Sequence, residues 1–276
     1  MNTRFRRSAL FMPGSNARAI EKAKTLDCDV VILDLEDAVA PDMKVGARAA
    51  AVAAVRHGGF GARELVVRVN GLDTEWGADD CAALGRVAPD AILLPKVSTP
   101  VDLAIARAEM GGTVPLWAMI ETCAAITGIG ALTASAAHHG LTCLIAGTND
   151  LSKEMHCRPD VMRTPLLPAL AAIVMAGRAT GLVVLDGVCN TLEDGPVLAA
   201  ECAQGAMFGF DGKSLIHPAQ IGAANRAFGA SEAQLAWARA VIAAFALPEN
   251  SDKGAIRVNG EMIERLHLEQ AERLLI

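Results

Sequence analysis

The stretch Leu141-Thr-Cys-Leu-Ile-Ala-Gly-Thr-Asn-Asp150 shows the unit that decides the fold: a short, nearly continuous apolar run followed by polar residues. Such a run is typical of a parallel strand that is buried on both faces. Seven further runs alternate with longer alanine-rich segments of helical character, which indicates repeated βα units. These runs span residues 9–12, 30–35, 65–69, 91–94, 116–120, 183–185 and 206–210.

Eight such units in a chain of 276 residues favour a closed (β/α)8 TIM barrel, with a doubly wound open sheet as the alternative. We expect the barrel to occupy residues 1–247 and to close with helices near 215–228 and 231–245. The second of these helices begins with the capping signature of Ser231 and Gln234. Residues 248–276 are predicted to form a linker and a C-terminal strand–helix lid segment.

The composition excludes several classes of protein. A net charge of −6 gives no electrostatic reason to expect nucleic acid or an anionic membrane as a partner. Seven cysteines, an odd number without a C-x-x-C pair, fit reduced thiols in a cytoplasm. No apolar run reaches membrane-spanning length without interruption. We therefore expect a soluble cytoplasmic protein that binds neither nucleic acid nor membranes.

Carboxylates follow two of the predicted strands. Glu121 comes directly after the run 116–120, and Asp150 ends the stretch quoted above. Parallel-barrel enzymes collect their functional groups where the strands end, so these side chains are predicted to converge. Two carboxylates, completed by water and substrate oxygens, suit magnesium. Alternatively, Glu121 pairs with Arg68 or Lys96, and Asp150 caps the helix that follows it.

Arg68 interrupts the apolar run Val66-Val-Arg-Val-Asn70. A guanidinium that points into the barrel can stabilise a developing oxyanion. A buried salt bridge to Glu36 or Glu121 is an equally good interpretation. The acidic group Asp34-Leu-Glu-Asp37 either supports metal-bound water, with Asp37 in a catalytic role, or caps the following helix.

Seven motifs, in order along almost the whole chain, resemble those of the citrate lyase β-subunit-like branch of the HpcH/HpaI aldolase family. They are Arg7-Ser-Ala-Leu-Phe-Met-Pro-Gly14, Val31-Ile-Leu-Asp-Leu-Glu-Asp-Ala-Val39, Val67-Arg-Val-Asn70, Leu94-Pro-Lys96, Met119-Ile-Glu-Thr122, Gly147-Thr-Asn-Asp150 and Gly209-Phe-Asp-Gly-Lys-Ser-Leu-Ile-His-Pro-Ala-Gln220.

The resemblance implies a barrel, Mg²⁺ held by Glu121 and Asp150, and a catalytic role for Arg68. It also implies a substrate that is a coenzyme A thioester. In the cleavage of a 3-hydroxyacyl thioester, Arg68 would stabilise the enolate. Backbone N–H groups at the helix start formed by Gly147, Thr148 and Asn149 would hold the substrate carboxylate.

Two further regions enter through the same resemblance. Arg18 and Lys22 lie one helical turn apart, at positions that the family associates with coenzyme A; they are otherwise solvated helix residues. The segment Val258-Asn-Gly-Glu-Met-Ile-Glu-Arg-Leu-His267 resembles the family's lid, whose acidic residue serves as acid/base in a neighbouring subunit. Glu264 stands where that acid is usually Asp, and is otherwise an exposed helix residue. The lid implies a homo-oligomer, a trimer or hexamer.

These features predict a carbon–carbon lyase that splits citramalyl-, malyl- or citryl-CoA into acetyl-CoA and a 2-oxoacid, with citramalyl-CoA the first choice. A malyl-CoA thioesterase is a close alternative. An aldolase without coenzyme A would be expected to use an early histidine, and none precedes His57. A subunit active only in a citrate lyase-type complex has less need of its own lid.

Overall fold

The computed structural model describes Arg4–Asn250 and Asp252–Leu275. Met1–Thr3, Ser251 and Ile276 belong to the predicted barrel and C-terminal segments but lie outside the described residues. The chain divides into two compact units, Phe5–Phe228 and Gly229–Ile276 with Arg4. Each unit is described by itself.

The first unit is a closed barrel of eight parallel strands, which confirms the predicted TIM barrel. Each strand pairs with the next along the chain, and the first strand pairs with the eighth. The strands are β1 (Ser8–Pro13), β2 (Val30–Asp34), β3 (Glu64–Arg68), β4 (Ala91–Leu94), β5 (Leu116–Ile120), β6 (Leu141–Ala146), β7 (Val183–Asp186) and β8 (Gly212–Leu215).

Helices connect the strands and surround the barrel. They are α1 (Ala17–Ala23), α2 (Lys44–His57), α3 (Gly77–Val87), α4 (Pro100–Met110), α5 (Cys123–Ala134), α6 (Ala136–His139), α7 (Thr148–Glu154), α8 (Leu167–Thr180), α9 (Pro196–Phe208) and α10 (Ile221–Phe228). Within the part of the chain that the structure describes, none of the helices has the length and apolar character needed to cross a bilayer.

Successive side chains along each strand belong to two different apolar layers. In β2, Val30 and Ile32 belong to the cluster that fills the barrel interior, whereas Val31 and Leu33 pack in the larger cluster with residues of the helices. Successive side chains of a strand point to opposite faces, so both faces are buried. This explains why the strands read as unbroken apolar runs. A shift of one position along a strand therefore moves a charged side chain from one layer to the other.

The eighth predicted strand, at 206–210, is wrong. Ala206–Phe208 completes α9, and Gly209 ends that helix with a φ of 94°, a left-handed conformation that favours glycine. The strand is Gly212–Leu215, which carries Lys213 with its side chain fully buried. Because one of its four residues is charged, this strand does not appear as an apolar run in the sequence.

The second unit contains α11 (Glu232–Phe245), β9 (Ala255–Val258), β10 (Glu261–Glu264) and α12 (Arg265–Leu275). The capping box of Ser231 and Gln234 begins α11 as predicted. The strands form an antiparallel hairpin through Asn259 and Gly260, both at positive φ, where the sequence predicted a single strand.

This unit has its own apolar core, in which Val241 and Phe245 of α11 pack with Ile256 and Ile263 of the hairpin. The packing therefore groups α11 with the C-terminal hairpin, whereas the predicted boundary at residue 247 placed it with the barrel. Apolar faces of α11 and of the hairpin bury each other. The composition of the linker, on which the predicted boundary rested, does not indicate this packing. The lid role of this segment stays a prediction.

Candidate functional site

A cavity of about 350 Å³ lies where the strands of the barrel end, and we call it the main cavity. Predicted site residues at the ends of four strands of the barrel line it, so the structure brings them together as the sequence indicated. They are Asp37, Arg68, Glu121, Gly147, Thr148, Asn149 and Asp150. Their individual roles stay predictions.

Glu121 is buried without a counter-charge. It follows β5, is 1% exposed, and its Oε1 accepts a hydrogen bond of 2.7 Å from the backbone N–H of Lys96. Burial raises the pKa of Glu121 to about 7, and the charges of Glu36 and Asp150 add to this increase. Among the described residues, no ion pair is formed by Glu121 or Asp150. The predicted alternative, in which Glu121 pairs with the charged group of Arg68 or Lys96, is therefore not found.

Asp150 lies in the first turn of α7 rather than at its cap. The N-cap is Gly147, and no side chain makes a capping hydrogen bond there. The missing side chain of Gly147 matters, because a Cβ at this position would lie 2.5 Å from Oε2 of Glu121. Glycine thus allows the side chain of Glu121 to pack directly against the backbone at the start of α7.

Arg68 is held rigidly in the wall of the cavity. Its Nε and Nη2 donate to the two carboxylate oxygens of Asp34 at 2.7 Å each, and Nη1 lies 2.8 Å from Oε2 of Glu36. The guanidinium also stacks 4.9 Å from the ring of Phe11. Burial by itself lowers the pKa of Arg68, but the bonds to Asp34 raise it above the ordinary value. The predicted salt bridge to Glu36 is confirmed, that to Glu121 is wrong, and Asp34 was missed.

Asp34 could have been found from the register. Val30 and Ile32 point into the barrel, so Asp34 points the same way, and it pairs in register with Arg68 of β3. Its two oxygens also accept from the backbone N–H groups of Glu36 and Ala38, at 2.9 and 3.0 Å. Asp34 therefore positions both Arg68 and the acidic loop after β2.

The charged groups at this end of the barrel, which we call the mouth cluster, carry an excess of negative charge. They are Asp34, Glu36, Asp37, Arg68, Lys96, Glu121 and Asp150. When all are ionised, five carboxylates and two cations leave a formal charge of −3. Among the described residues, no group of three or more His, Cys, Asp or Glu side chains is arranged to hold a metal. A cation here would depend on two carboxylates plus water or ligand oxygens.

Other predicted residues lie away from the main cavity. Arg18 and Lys22 are exposed on α1, and neither lines it. Glu264 ends β10 in the second unit, where its backbone N–H donates to Nδ1 of His267 at 2.9 Å. The coenzyme contacts of Arg18 and Lys22, the acid/base role of Glu264 and the trimer or hexamer stay predictions.

A second group of buried charges was not recognised from the sequence. This outer cluster consists of Arg163, Asp186, Glu201 and Lys213. Nζ of Lys213 donates to Asp186 at 2.9 Å and to Glu201 at 3.0 Å, and Nη1 of Arg163 donates to Asp186 at 2.7 Å. In β7, Leu185 belongs to the interior cluster and Val184 to the outer one, so Asp186 faces the helices. The outer cluster contains two carboxylates and two cations, so its formal charges cancel.

Comparison with known proteins agrees with this architecture. Residues 7–218 match the family described as HpcH/HpaI aldolase/citrate lyase. The chain is 45% identical over 271 residues to a (3S)-malyl-CoA thioesterase of Cereibacter sphaeroides, covering 98% of this chain and 93% of the relative. It is 32% identical to citrate lyase subunit beta of Escherichia coli, covering 99% and 93%.

Among solved structures, the chain resembles the protein CitE from Mycobacterium tuberculosis in complex with magnesium, acetoacetate and coenzyme A. The TM-score is 0.78 at 29% identity, over 97% of this chain and 96% of that one. The matched span 7–218 contains every residue of the mouth cluster. The chain therefore belongs to the HpcH/HpaI aldolase/citrate lyase family.

Proposed function

We propose that the chain is a magnesium-dependent enzyme that acts on malyl-type coenzyme A thioesters, with hydrolysis of malyl-CoA as its main reaction. The observation that carries this proposal is the uncompensated charge of the mouth cluster beside an open cavity. A divalent cation would reduce this excess from −3 to −1 and would give the carboxylate of a substrate a positive centre to bind. The 45% identity to a malyl-CoA thioesterase supports the choice of substrate.

Glu121 and Asp150 would hold the magnesium ion. Both line the main cavity, neither forms an ion pair with a described residue, and the absence of a side chain at Gly147 allows Glu121 to pack against the start of Asp150's helix. Hard carboxylate oxygens are the ligands that magnesium prefers. When bound, the ion supplies Lewis acidity and a template that orients the substrate. The presence of magnesium in the CitE structure supports the choice of this cation.

The remaining residues bind and orient the thioester. The backbone N–H of Gly147 donates to the carbonyl of Ile120 at 2.9 Å, so the N–H groups of Thr148 and Asn149 are those that suit the carboxylate of the substrate. Arg68 has a fixed guanidinium in the wall, suited to the oxygen of the thioester carbonyl as it becomes negative. In hydrolysis, water adds to that carbonyl carbon, and the thiol of coenzyme A leaves with a proton.

Carbon–carbon cleavage is the second candidate, because Arg68 is placed to stabilise an enolate as well as an oxyanion. In that reaction the 3-hydroxyl group loses its proton, the bond between carbons 2 and 3 breaks, and carbon 2 is then protonated. The products are acetyl-CoA and a 2-oxoacid. The 32% identity to citrate lyase subunit beta supports this candidate. Citramalyl-CoA, the first choice from the sequence, is a substrate to test beside malyl-CoA.

One assay separates the two reactions. The purified chain is incubated with malyl-CoA and Mg²⁺, and free thiol, malate, acetyl-CoA and glyoxylate are quantified. Hydrolysis gives equal amounts of free coenzyme A and malate, whereas cleavage gives acetyl-CoA and glyoxylate. Chelation of the metal should stop either reaction, and turnover that persists with EDTA contradicts the proposal.

A further inference from the structure

Lys96 has an unusual backbone conformation. It follows β4 and Pro95, and its φ is 52°, in the left-handed region that residues other than glycine seldom adopt. The turn is flanked by Leu94 and Val97, each of which is 1% exposed. Residues other than glycine persist in such conformations where the surrounding structure holds them there, and they are concentrated at functional sites. The conformation of Lys96 therefore calls for a structural reason.

The direction of the Lys96 N–H supplies one reason. This N–H donates to Oε1 of Glu121 at 2.7 Å, and it is the one hydrogen-bond partner of that carboxylate among the described residues. The angle φ sets the orientation of the peptide group that carries the N–H relative to the rest of the loop. A change of φ at Lys96 would therefore move the donor relative to the carboxylate of Glu121.

The following peptide group is tied to the same end of β5. The hydroxyl of Ser98 lies 2.8 Å from that of Thr122, the residue after Glu121, and it donates to the carbonyl oxygen of Lys96 at 3.3 Å. Thr122 is itself fixed, because its hydroxyl oxygen accepts from the backbone N–H of Ala125 and caps α5. The two peptide groups on either side of the Lys96 Cα are thus both linked to the end of β5.

We propose that Lys96 is a positioning residue of the metal site, and that it acts through its backbone. Its left-handed conformation aims the N–H at Oε1 and thereby fixes the orientation of the Glu121 carboxylate. Among the described residues Oε2 accepts no hydrogen bond, so this oxygen is the one we assign to the cation. The ammonium group has a different environment, half exposed and 3.4 Å from Glu36. This inference rests on the proposed function, in which Glu121 binds magnesium.

The test compares residues at position 96 that keep the N–H but differ in their tolerance of positive φ. Lys96→Gly, Lys96→Ala and Lys96→Val all remove the ammonium group, and glycine adopts the left-handed region most readily and β-branched valine least. Mn²⁺, which suits the same oxygen ligands as Mg²⁺, is titrated without substrate, and the free ion is measured by electron paramagnetic resonance. Affinity should fall in the order Gly, Ala, Val.

The Lys96→Val variant should bind Mn²⁺ about tenfold or more weakly than Lys96→Gly, the loss expected when a group that orients a metal ligand is disturbed. Equal affinity in the two variants would overturn the inference and leave the metal assignment intact. If Lys96→Val does not fold, the comparison of Lys96→Ala with Lys96→Gly decides in the same way. A wild type that binds no Mn²⁺ would reject the metal assignment, and the inference with it.

Ala88 provides the matched control. It also has a positive φ, of 51°, but it ends α3 on the side of the barrel where β4 begins, and it does not line the main cavity. Ala88→Val should melt at a lower temperature than Ala88→Gly, because the backbone strain is of the same kind, yet the two should bind Mn²⁺ equally. A loss of Mn²⁺ affinity in Ala88→Val as large as that in Lys96→Val would contradict a specific role for Lys96.

Discussion

The mouth cluster and the outer cluster both include charged side chains of the barrel strands, yet they differ in charge balance. The outer cluster also takes Glu201 from α9 and Arg163 from the segment between α7 and α8. In the outer cluster, Lys213 and Arg163 neutralise Asp186 and Glu201; Lys213 and Asp186 are fully buried, and Glu201 is mostly buried. In the mouth cluster, the one hydrogen-bond partner of the Glu121 carboxylate among the described residues is the backbone N–H of Lys96.

The difference shows how one barrel separates stability from function. Buried charges must be balanced by their neighbours, because little solvent reaches them. An open cavity can keep an excess of charge that a ligand later neutralises. The pKa directions agree with this contrast. Burial raises the pKa of Glu121; burial also acts to raise that of Asp186, but Lys213 and Arg163 outweigh it and the pKa is lowered.

The largest expected effect breaks the mouth cluster. Glu121→Gln keeps an acceptor for the N–H of Lys96 but removes the charge, and should lower Mg²⁺-dependent turnover of malyl-CoA by at least about a thousandfold, since a catalytic metal supplies several kcal/mol. Its melting temperature should not fall, because no ion pair is lost. The matched change Glu201→Gln in the outer cluster should do the reverse, lowering stability and retaining turnover. Equal turnover in Glu121→Gln and wild type would refute the metal assignment.

The next change breaks the outer cluster. Lys213→Met leaves Asp186 and Glu201 buried without their shared cation, and should cost about 3–5 kcal/mol in the free energy of unfolding. Urea denaturation measures it. Lys96→Met is the control: that lysine is half exposed and pairs with Glu36 at 3.4 Å, so its loss should cost about 1 kcal/mol or less. Similar losses in the two variants would contradict the distinction between the clusters.

A subtler change displaces Glu121 without altering its chemistry. In Gly147→Ala the new Cβ would lie 2.3 Å from Cβ of Glu121, so the carboxylate must shift. Disturbing groups that orient a metal ligand typically weakens metal affinity about 10–100-fold. A Mg²⁺ titration of activity should show that loss as a higher half-saturating concentration.

Gly46→Ala is the matched control for this change. Gly46 lies in the first turn of α2, and nothing lies within 4 Å of a Cβ added there. It should leave Mg²⁺ affinity unchanged and stabilise the protein by about 0.5–1 kcal/mol, the usual preference for alanine over glycine in a helix. An identical Mg²⁺ response in both variants would exclude the packing of Gly147 against Glu121 as the cause.

The smallest expected effect concerns pH. The pKa of Asp186 is lower in the folded protein than in the unfolded chain, so its ion pairs stabilise the fold above the unfolded value near 4. That contribution is lost as the pH falls through the folded pKa, by at most about 1.4 kcal/mol per pH unit. Unfolding free energies measured between pH 5 and about pH 2 should show this slope, and Asp186→Asn should lack it. The same slope in both proteins would contradict the assignment to Asp186.

By itself, the sequence determined the barrel and the location of the chemistry. Runs such as Leu141–Ala146 are apolar on both faces, and polar residues after them must lie at one end of a parallel barrel. The convergence of Arg68, Glu121 and Asp150 on one cavity followed from this regularity. The family was identified from the ordered motifs, because hydrophobic periodicity alone does not distinguish one barrel family from another.

The tertiary structure decided what depends on partners distant in the sequence. Lys213 can occupy a buried strand only because Asp186 and Glu201 neutralise it, and those residues lie 27 and 12 positions away. Likewise, Arg68 selects Asp34 rather than Glu121 because adjacent strands pair in register. The grouping of α11 with the C-terminal hairpin depends on which apolar faces bury each other. Local patterns specify elements and faces, whereas charge compensation and packing are set only when the elements meet.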